Sequence, residues 1–234
     1  MDSGDRKVDP AEIFTSHAEG WYDKSKGYWE KQDRSVNGML GGFPEVSGTD
    51  LLHSRDLVES LIAKQHLGTQ RAADVGGGIG RVSYYVLSDF FKEIVIVDPV
   101  ADFLPIAAGK LGTAVAHQEI VASAQDWAPE GKFDAIWIQW VLMYLTDEDF
   151  VSFLRRCREA LAPNGLIIVK DNIGSKDKGA QRSKASFYEE DNGICRVYSH
   201  YVDLFAQAEL TIVESGLQPD WSKELLALHY WVLK

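Results

Sequence analysis

Apolar residues follow one spacing before residue 70 of the chain and another after it. Residues 10–70 show the apolar spacing of helices, interrupted by a glycine-rich turn over residues 37–44. From Arg71 onward, short apolar runs alternate with helical patterns, which favours a parallel sheet with crossover helices. The runs that qualify as strands cover residues 71–75, 93–97, 116–121, 133–138, 166–170, 210–215 and 226–232. The sequence therefore predicts an α/β fold in which a seven-stranded sheet carries helices on both faces.

The clearest helix is predicted over residues 147–161. Thr146 can cap its first turn, because Asp149 follows three residues later. Residues 162–165 read Ala-Pro-Asn-Gly and end the helix. Its apolar face consists of Phe150, Phe153, Leu154, Cys157, Ala160 and Leu161.

The length of the chain bounds its organisation. It has 234 residues, 45% of them hydrophobic, which is enough for one sizeable core. We therefore expect a single domain over residues 1–234, with residues 10–70 as a helical cap or lid and residues 71–234 as the core. A substrate loop is expected near residues 173–195, because its polar stretch is long enough to cover a ligand crevice. A variable surface insertion is the alternative for the first half of that stretch.

The net charge narrows the range of partners. The chain carries 24 basic against 35 acidic residues, a net charge of −11, so no nucleic-acid partner is expected unless a local basic patch intervenes. Basic peptides are more plausible partners, although net acidity also keeps proteins in solution. No apolar stretch is long enough to span a bilayer, and the N-terminus lacks a signal-peptide pattern. We expect a soluble monomer in the cytoplasm, the nucleus or both, with no membrane partner.

Cysteine and histidine residues give no sign of a metal site. Cys157 and Cys195 are far apart and belong to no paired motif, which fits a reducing compartment. The histidines show no metal-ligand spacing either, so we expect no metal. They are His17, His53, His66, His117, His200 and His229.

A glycine-rich segment follows the first predicted strand. Residues 74–80 read Asp-Val-Gly-Gly-Gly-Ile-Gly, and a helix-compatible stretch begins at Arg81. A strand, a glycine turn and a helix together form a nucleotide-binding unit. A dinucleotide site needs a third glycine five residues after the first, whereas here Gly76 and Gly78 are followed by Arg81 at that position. The spacing argues against NAD, and Asp74 suits a cofactor with a cationic amino-acid end.

Asp98 ends the second predicted strand. A carboxylate there can accept two hydrogen bonds from ribose hydroxyls, so Asp98 is the predicted ribose anchor. A glycine turn that binds nothing is the alternative, and the strands on both sides of it weigh against that. Asp74, the glycine loop and Asp98 together resemble the cofactor site of class I S-adenosylmethionine-dependent methyltransferases. The resemblance implies their Rossmann-like fold.

Further short sequence motifs, spread over nearly the whole chain, show a more specific family resemblance. They lie at residues 28–29, 36–42, 78–81, 125–127, 136–140, 145–147, 153–157, 163–165 and 170–172. Jointly they resemble the α-N-terminal protein methyltransferases. That family methylates the free amine of proteins whose N-terminus reads Xaa-Pro-Lys after methionine removal, with S-adenosylhomocysteine as the second product.

The resemblance assigns the cofactor site residue by residue. It places Arg81 against the methionine carboxylate, Asp98 on the ribose and Gln125 near the adenine edge, roles that suit their side chains. The residues implied to bind S-adenosylmethionine are Gly76, Gly78, Arg81, Asp98, Ala124, Gln125 and Gln139.

The resemblance also implies a channel for the N-terminal segment of a substrate protein. Aromatic walls from Trp29 and Trp140 would pack the proline ring. Asn172 and Asp191 would orient the amine, with Asp191 or a bound water taking its proton, and Asp191 would also face the lysine ammonium. The implied catalytic residues are Asn172, Asp191 and Tyr144. The implied substrate-binding residues are Trp29, Leu40, Gly41, Trp140 and Asp171.

Four positions depart from the family pattern. Tyr144 stands where the best-known animal members carry a histidine, and a phenol with a pKa near 10 is a poor base at neutral pH. We therefore expect Tyr144 to orient the amine by a hydrogen bond. Tyr188 and Gly193 replace polar residues of the pattern, and Leu226 replaces a polar aromatic one. These departures leave the lysine preference and the number of methyl groups open.

Two other functions remain alternatives. The first is a methyltransferase for a small-molecule amine or another metabolite, which would share only the cofactor half. The block of residues 29–42 and Asp191 argue against it, because a small substrate needs no peptide channel. The second is a cofactor-binding fold retained as an interaction module, which the intact cofactor residues argue against.

Overall fold

The structure, a computed structural model, describes residues 6–64, 66–174 and 185–234. Its strands are β1 (Arg6–Val8), β2 (Arg71–Val75), β3 (Glu93–Asp98), β4 (Ala116–Val121), β5 (Phe133–Gln139), β6 (Leu161–Ile173), β7 (Ala185–Tyr188), β8 (Gly193–Cys195), β9 (Ile212–Leu217) and β10 (Ala227–Leu233). Its helices are α1 (Pro10–Ser16), α2 (Trp21–Glu30), α3 (Val36–Met39), α4 (Val46–Ala63), α5 (Arg81–Tyr85), α6 (Leu104–Leu111), α7 (Asp147–Glu159) and α8 (Tyr198–Gln207). Short 3₁₀ turns cover Leu87–Asp89, Ala101–Phe103 and Leu142–Tyr144. Residues 175–184 of the predicted substrate loop lie outside the described residues.

Seven strands form the main sheet, in the order β4-β3-β2-β5-β6-β10-β9. They are the seven strands predicted from the sequence, although β6 begins earlier, at Leu161, because Leu161 already pairs with Phe133. The prediction of a parallel sheet is wrong at one strand, since β10 pairs antiparallel with both β6 and β9. If β10 ran parallel to β9, the chain would need a crossover connection, usually a helix, between the two strands. Residues 218–226, which connect them, are too few for that.

Helices cover both faces of this sheet, as predicted. Successive strand residues point to opposite faces, so Ile94 and Ile96 pack in one core cluster whereas Val95 and Val97 pack in the other. On the first face, α4, α5 and α6 contribute Leu57, Val58, Leu61, Val82, Leu104 and Ala107. On the second face, α7 and α8 contribute Phe150, Phe153, Leu154, Tyr201, Leu204 and Phe205.

Helix α7 begins where its capping residue predicts. The hydroxyl of Thr146 accepts a hydrogen bond of 3.2 Å from the N–H of Asp149. The helix ends at Glu159, slightly before the predicted end, because Leu161 is already part of β6. Four of the predicted apolar positions are fully buried: Phe150, Phe153, Leu154 and Cys157.

The N-terminal segment is helical, as predicted, but a second sheet joins it to the core. Strands β1, β7 and β8 form a small antiparallel sheet, in which Val8 pairs with Ala185 and Ser186 pairs with Cys195. These three short strands were not predicted, because each is too short to show a period and they lie far apart in sequence. Part of the predicted substrate loop is therefore regular structure. None of the helices in the described ranges is long and apolar enough to cross a membrane.

The cap of α7 gives a first prediction. Thr146→Ala should lower the free energy of unfolding by about 1 kcal/mol, because the first turn loses its side-chain acceptor. Urea denaturation measures the change. Thr146→Ser should retain most of the stability, and Thr113→Ala, at an exposed position, serves as the control. Equal loss in the Ser and Ala variants would show that the methyl group of Thr146, rather than its hydroxyl, stabilises the fold.

Candidate active site

A cleft opens at the carboxyl ends of the parallel strands β2, β3 and β5. Its walls come from the glycine loop after β2, the end of β3, residues 122–125 and residues 139–145. Helix α2 of the N-terminal segment closes the remaining side. In open α/β sheets, ligands bind at this edge.

The glycine loop makes a tight turn in which Gly76 and Gly80 combine a positive φ with no room for a side chain. Gly76 has φ 70°, and its N–H donates to the carbonyl of Val97 at 2.8 Å. A Cβ on Gly76 would lie 2.3 Å from Cγ2 of Val141. A Cβ on Gly80, which has φ 74°, would lie 2.7 Å from that of Ala107. Glycine at these two positions lets the backbone itself form the floor of the cleft.

Two buried carboxylates flank the glycine loop. Asp98 accepts hydrogen bonds of 2.8 Å from the N–H groups of Gly78 and Val100. Asp74 accepts from the N–H and the hydroxyl of Ser83, at 3.0 and 2.6 Å. Burial raises the pKa of each carboxyl to about 6. Both are therefore mostly charged at neutral pH, and they make this end of the cleft negative.

Arg81 supplies a positive group beside them. Its Nη2 lies 2.6 Å from Oδ2 of Asp50, and its guanidinium lies 5.5 Å from the ring centre of Trp140. Its Nη1 is buried and has no hydrogen-bond partner among the described residues. A guanidinium with one nitrogen engaged and another free can bind a carboxylate.

Asp50, the partner of Arg81, was missed in the sequence. It lies in α4, is fully buried, and also contacts Lys170 and the side-chain amide of Gln139, whose Nε2 lies 3.0 Å from each carboxylate oxygen. Burial alone would raise the pKa of Asp50, but Lys170 and Arg81 lower it below its ordinary value. The sequence does contain a sign of its role, because Asp50 is a charged residue on the apolar face of a predicted helix. That face includes Ser54, Leu57, Val58 and Leu61.

The cleft contains every residue predicted to bind the cofactor: Gly76, Gly78, Arg81, Asp98, Ala124, Gln125 and Gln139. The free Nη1 of Arg81 suits a carboxylate and Asp74 suits an ammonium group. Asp98 has lone pairs left for two ribose hydroxyls. These residues fit S-adenosylmethionine, whose amino-acid and ribose parts carry those groups. Within the described ranges, no group of His, Cys, Asp and Glu residues could hold a metal ion.

Comparison with protein families agrees with this chemistry. A family model described as AdoMet dependent proline di-methyltransferase matches residues 17–234. The chain belongs to this family. It is therefore an enzyme that uses S-adenosylmethionine (AdoMet) as its methyl donor, as the resemblance in the sequence indicated.

Individual relatives match over nearly their full lengths. "Alpha N-terminal protein methyltransferase 1" of Caenorhabditis elegans is 34% identical and covers 93% of this chain and 92% of its own length. "N-terminal Xaa-Pro-Lys N-methyltransferase 1" of Mus musculus is 32% identical, covering 92% and 95%. The solved structure of a SAM-dependent methyltransferase from Leishmania major is 32% identical, with a TM-score of 0.87 over 96% of this chain and 91% of that one. The class I methyltransferase fold predicted from the sequence is thus confirmed.

Three aromatic side chains line the other half of the cleft: Trp29, Trp140 and Tyr144. Trp29 meets Tyr144 edge to face, with ring centres 6.2 Å apart. Trp140 has φ 55°, a strained value for a bulky residue, and its N–H donates to the carbonyl of Lys170 at 2.9 Å. Its indole N–H donates to Oδ1 of Asn172 at 3.4 Å, so Asn172 contacts a lining residue without lining the cleft itself. The tryptophans predicted to pack a proline ring therefore share one cleft with the cofactor residues.

Tyr144 and Asp191 form a hydrogen-bonded pair beside this wall. The Tyr144 hydroxyl donates to Oδ2 of Asp191 at 3.1 Å, and Oδ1 of Asp191 accepts from the N–H of Gly193 at 2.9 Å. Burial raises the pKa of Tyr144 well above its ordinary value and also raises the pKa of Asp191. Tyr144 is therefore a hydrogen-bond donor at neutral pH, and Asp191 is a better proton acceptor than an exposed aspartate.

Helix α2 is fixed to both members of this pair. The indole N–H of Trp21 donates to the carbonyl of Tyr144 at 2.7 Å, and the hydroxyl of Ser25 donates to the carbonyl of Asp191 at 2.7 Å. The side-chain amide of Asn192 donates back to the carbonyl of Trp21 at 3.2 Å. The predicted lid thus packs directly on the candidate catalytic residues.

Arg196, which was not predicted, holds the turn that carries Tyr144. Its fully buried guanidinium donates to the carbonyl of Leu142 at 2.9 Å and to that of Leu145 at 2.6 Å. It also pairs with Asp147 at 2.7 Å, which offsets the buried charge. No local sequence pattern connects residue 196 with residues 142–147, so only the fold brings them together.

Two of the predicted catalytic residues, Asn172 and Asp191, do not line the described cleft but form hydrogen bonds with Trp140 and Tyr144, which do. Three predicted substrate residues do not line it either. Asp171 is fully buried, and its Oδ1 accepts from the N–H of Asn172 at 2.9 Å, while burial raises its pKa to about 7. It alternates with Lys170 along β6 and so points to the opposite face of the sheet. Leu40 is buried and Gly41 is exposed, both directly after Met39, which does line the cleft. A direct role for these three in substrate binding stays a prediction.

The buried Asp98 predicts how cofactor binding depends on pH. Its charged form is needed to accept ribose hydroxyls, so the affinity for S-adenosylhomocysteine should fall as the pH drops through about 6. Well below that value, the loss should approach about tenfold per pH unit. Calorimetric titration between pH 8 and pH 5 measures it. Asp98→Asn should bind more weakly with a flatter profile, whereas an equally steep profile in that variant would assign the titration to Asp74.

Proposed function

We propose that the protein methylates the free α-amine of protein N-termini that read Xaa-Pro-Lys after methionine removal. The observation that carries this proposal is that Tyr144 lies in the same cleft as the cofactor residues, beside two tryptophans, and donates a hydrogen bond to Asp191. The printed names of the relatives from C. elegans and M. musculus support it. A small-molecule substrate would need neither the aromatic wall of Trp29 nor the contacts of α2.

The chemistry requires a neutral amine at the cleft wall. A free α-amine has a pKa near 7.7–8.0, so most of it is protonated at neutral pH and cannot attack a methyl group. Asp191 accepts the proton, and the hydrogen bond from Tyr144 fixes the orientation of its carboxylate. Bound AdoMet supplies an electrophilic methyl group, and placing the amine in line with it provides most of the catalysis.

Neutral groups around the methyl group favour the transfer. The positive charge of a sulfonium disappears during the reaction, so a strong negative charge at the methyl would favour the starting state. Trp140 and the amide of Asn172, joined by a hydrogen bond of 3.4 Å, supply a neutral surface. Asn172 orients the amine with its amide group, as the resemblance to the family implies.

Acidic groups next to Asp191 suit a basic third residue of the substrate. Glu189 and Glu190 are exposed directly before Asp191. Burial and the negative charges of Asp191 and Glu190 raise the pKa of Tyr28, which places the tyrosine within reach of both charges. These carboxylates replace the acidic residue that the family pattern would place near Tyr188, so we propose that they attract the lysine ammonium.

The remaining expectations are proposals from the sequence alone. They are a monomeric enzyme, located in the cytoplasm, the nucleus or both, with no nucleic-acid or membrane partner. The net charge of −11 supports the expectation that nucleic acid is not a partner.

A peptide assay tests the substrate directly. A peptide that begins Ser-Pro-Lys, incubated with AdoMet and the enzyme, should gain methyl mass by mass spectrometry, while the same peptide acetylated at its N-terminus should gain none. A Ser-Pro-Gln peptide should react more slowly, because it lacks the ammonium group. Methylation of both the free and the acetylated peptide would indicate the lysine side chain instead, and reaction of neither would favour a small-molecule acceptor.

A substitution separates the two halves of the cleft. Asp191→Asn should lower turnover of the Ser-Pro-Lys peptide by about 10²–10⁴-fold, because the amine loses its proton acceptor. The affinity for S-adenosylhomocysteine should stay within about twofold. Asp203→Asn, which removes an exposed carboxylate from α8, is the control and should leave both quantities unchanged. Loss of cofactor affinity in Asp191→Asn would contradict this division of the site.

A further inference from the structure

The most concentrated group of buried charges lies behind the cofactor half of the cleft, around Asp50. Its carboxylate is fully buried and pairs with two cations, Arg81 at 2.6 Å and Lys170. Lys170 is also fully buried, and its Nζ lies 2.8 Å from the hydroxyl of Ser54. Gln139 donates to the same carboxylate. These residues come from α4, α5, β5 and β6, so one side chain joins four elements.

The cations of this cluster have carboxylate partners inside the protein. Asp50 pairs with both Arg81 and Lys170, and the negative charge of Asp74 acts on Arg81 as well. Two carboxylates therefore face two cations, and the net charge of the cluster is about zero. An unused hydrogen-bond donor of Arg81, rather than an excess of positive charge, indicates a place for a ligand.

The hydrogen bonds of Arg81 leave one of its donors available to a ligand. Its Nη2 is taken by Asp50, while its Nη1 is buried without a partner among the described residues. A buried donor that lacks a partner is costly, and Arg81 lines the cleft, where a ligand can reach it. Asp50 is itself held by Lys170 and Gln139, so it fixes one side of the guanidinium in place and leaves the other side free.

We propose that Asp50 is a positioning residue for cofactor binding, which holds Arg81 in the orientation that binds the carboxylate of the methionine part of AdoMet. It acts through Arg81 and touches no reacting atom. Because Asp50 belongs to α4, the N-terminal segment takes part in building the cofactor site as well as the substrate side.

The expected effect comes from geometry rather than from charge. In Asp50→Asn, the buried Lys170 loses its partner and is expected to become neutral, so the net charge near Arg81 stays about the same. The guanidinium loses its fixed partner, and binding must then order a long side chain. We expect the affinity for S-adenosylhomocysteine to fall by about tenfold or more.

Two ligands that differ in one group test this. Calorimetry compares S-adenosylhomocysteine with decarboxylated S-adenosylhomocysteine, which lacks only the carboxylate. Asp50→Asn should weaken the first by about tenfold or more and the second by less than about twofold. Equal weakening of both would show a general structural role. Unchanged binding of S-adenosylhomocysteine would show that Asp50 does not contribute to binding, and tighter binding would show that Asp50 competes with the ligand for Arg81. Each of these results overturns the proposal.

Further variants make the test specific to Arg81. In an Arg81→Met background, Asp50→Asn should change the affinity for S-adenosylhomocysteine by less than about twofold, and a full tenfold loss there would contradict the proposed route. If Asp50→Asn fails to fold, Asp50→Glu keeps the buried charge but displaces the carboxylate by one methylene, and the same ligand comparison decides. Asp89→Asn, which breaks the exposed Arg55–Asp89 ion pair at α4, is the matched control and should alter neither affinity. These measurements need no peptide, so their outcome is independent of the proposed substrate.

Discussion

The parallel register of β2 with its two neighbours is the constraint on which the site depends. Val75 lies opposite Val97 of β3 and also opposite Ile138 of β5. The three strands therefore reach their carboxyl ends at the same level of the sheet. The residues that come next are Gly76, Asp98 and Gln139. A slip of one residue in either pairing would turn buried side chains toward the wrong face and separate these three positions.

Buried charge pairs then attach distant segments to that edge. Asp50 brings α4 against Arg81 and Lys170, and Asp147 binds Arg196 next to the turn that carries Tyr144. A buried charge is tolerated only where partners replace the water that it loses, so each of these contacts permits few alternative geometries. These ion pairs cost desolvation energy, but they also hold the segments around the cleft in a defined position.

The two halves of the cleft differ in how they are built. The cofactor half comes from loops that directly follow neighbouring strands, so its side chains are fixed by the sheet. The proposed substrate half is assembled from α2, the turn around Tyr144 and residues 191–193. The side chains of Trp21 and Ser25 link these segments by donating hydrogen bonds to the backbone carbonyls of Tyr144 and Asp191. The departures from the family pattern at Tyr144 and Gly193 lie in these segments and outside the cofactor residues.

The sequence by itself determined the seven strands, the cap of α7 and the glycine loop with Asp98, because these depend on local periodicity and on loops next to strands. The resemblance to the family implied the other cofactor residues, Ala124, Gln125 and Gln139. The antiparallel course of β10, the small sheet of β1, β7 and β8, and the place of Asp171 behind the wall were decided by tertiary structure. So were the contacts of Asp50 and Arg196, whose partners lie far away in the chain. No local pattern records a pairing between distant residues, since it arises only when packing brings two buried groups within hydrogen-bond distance.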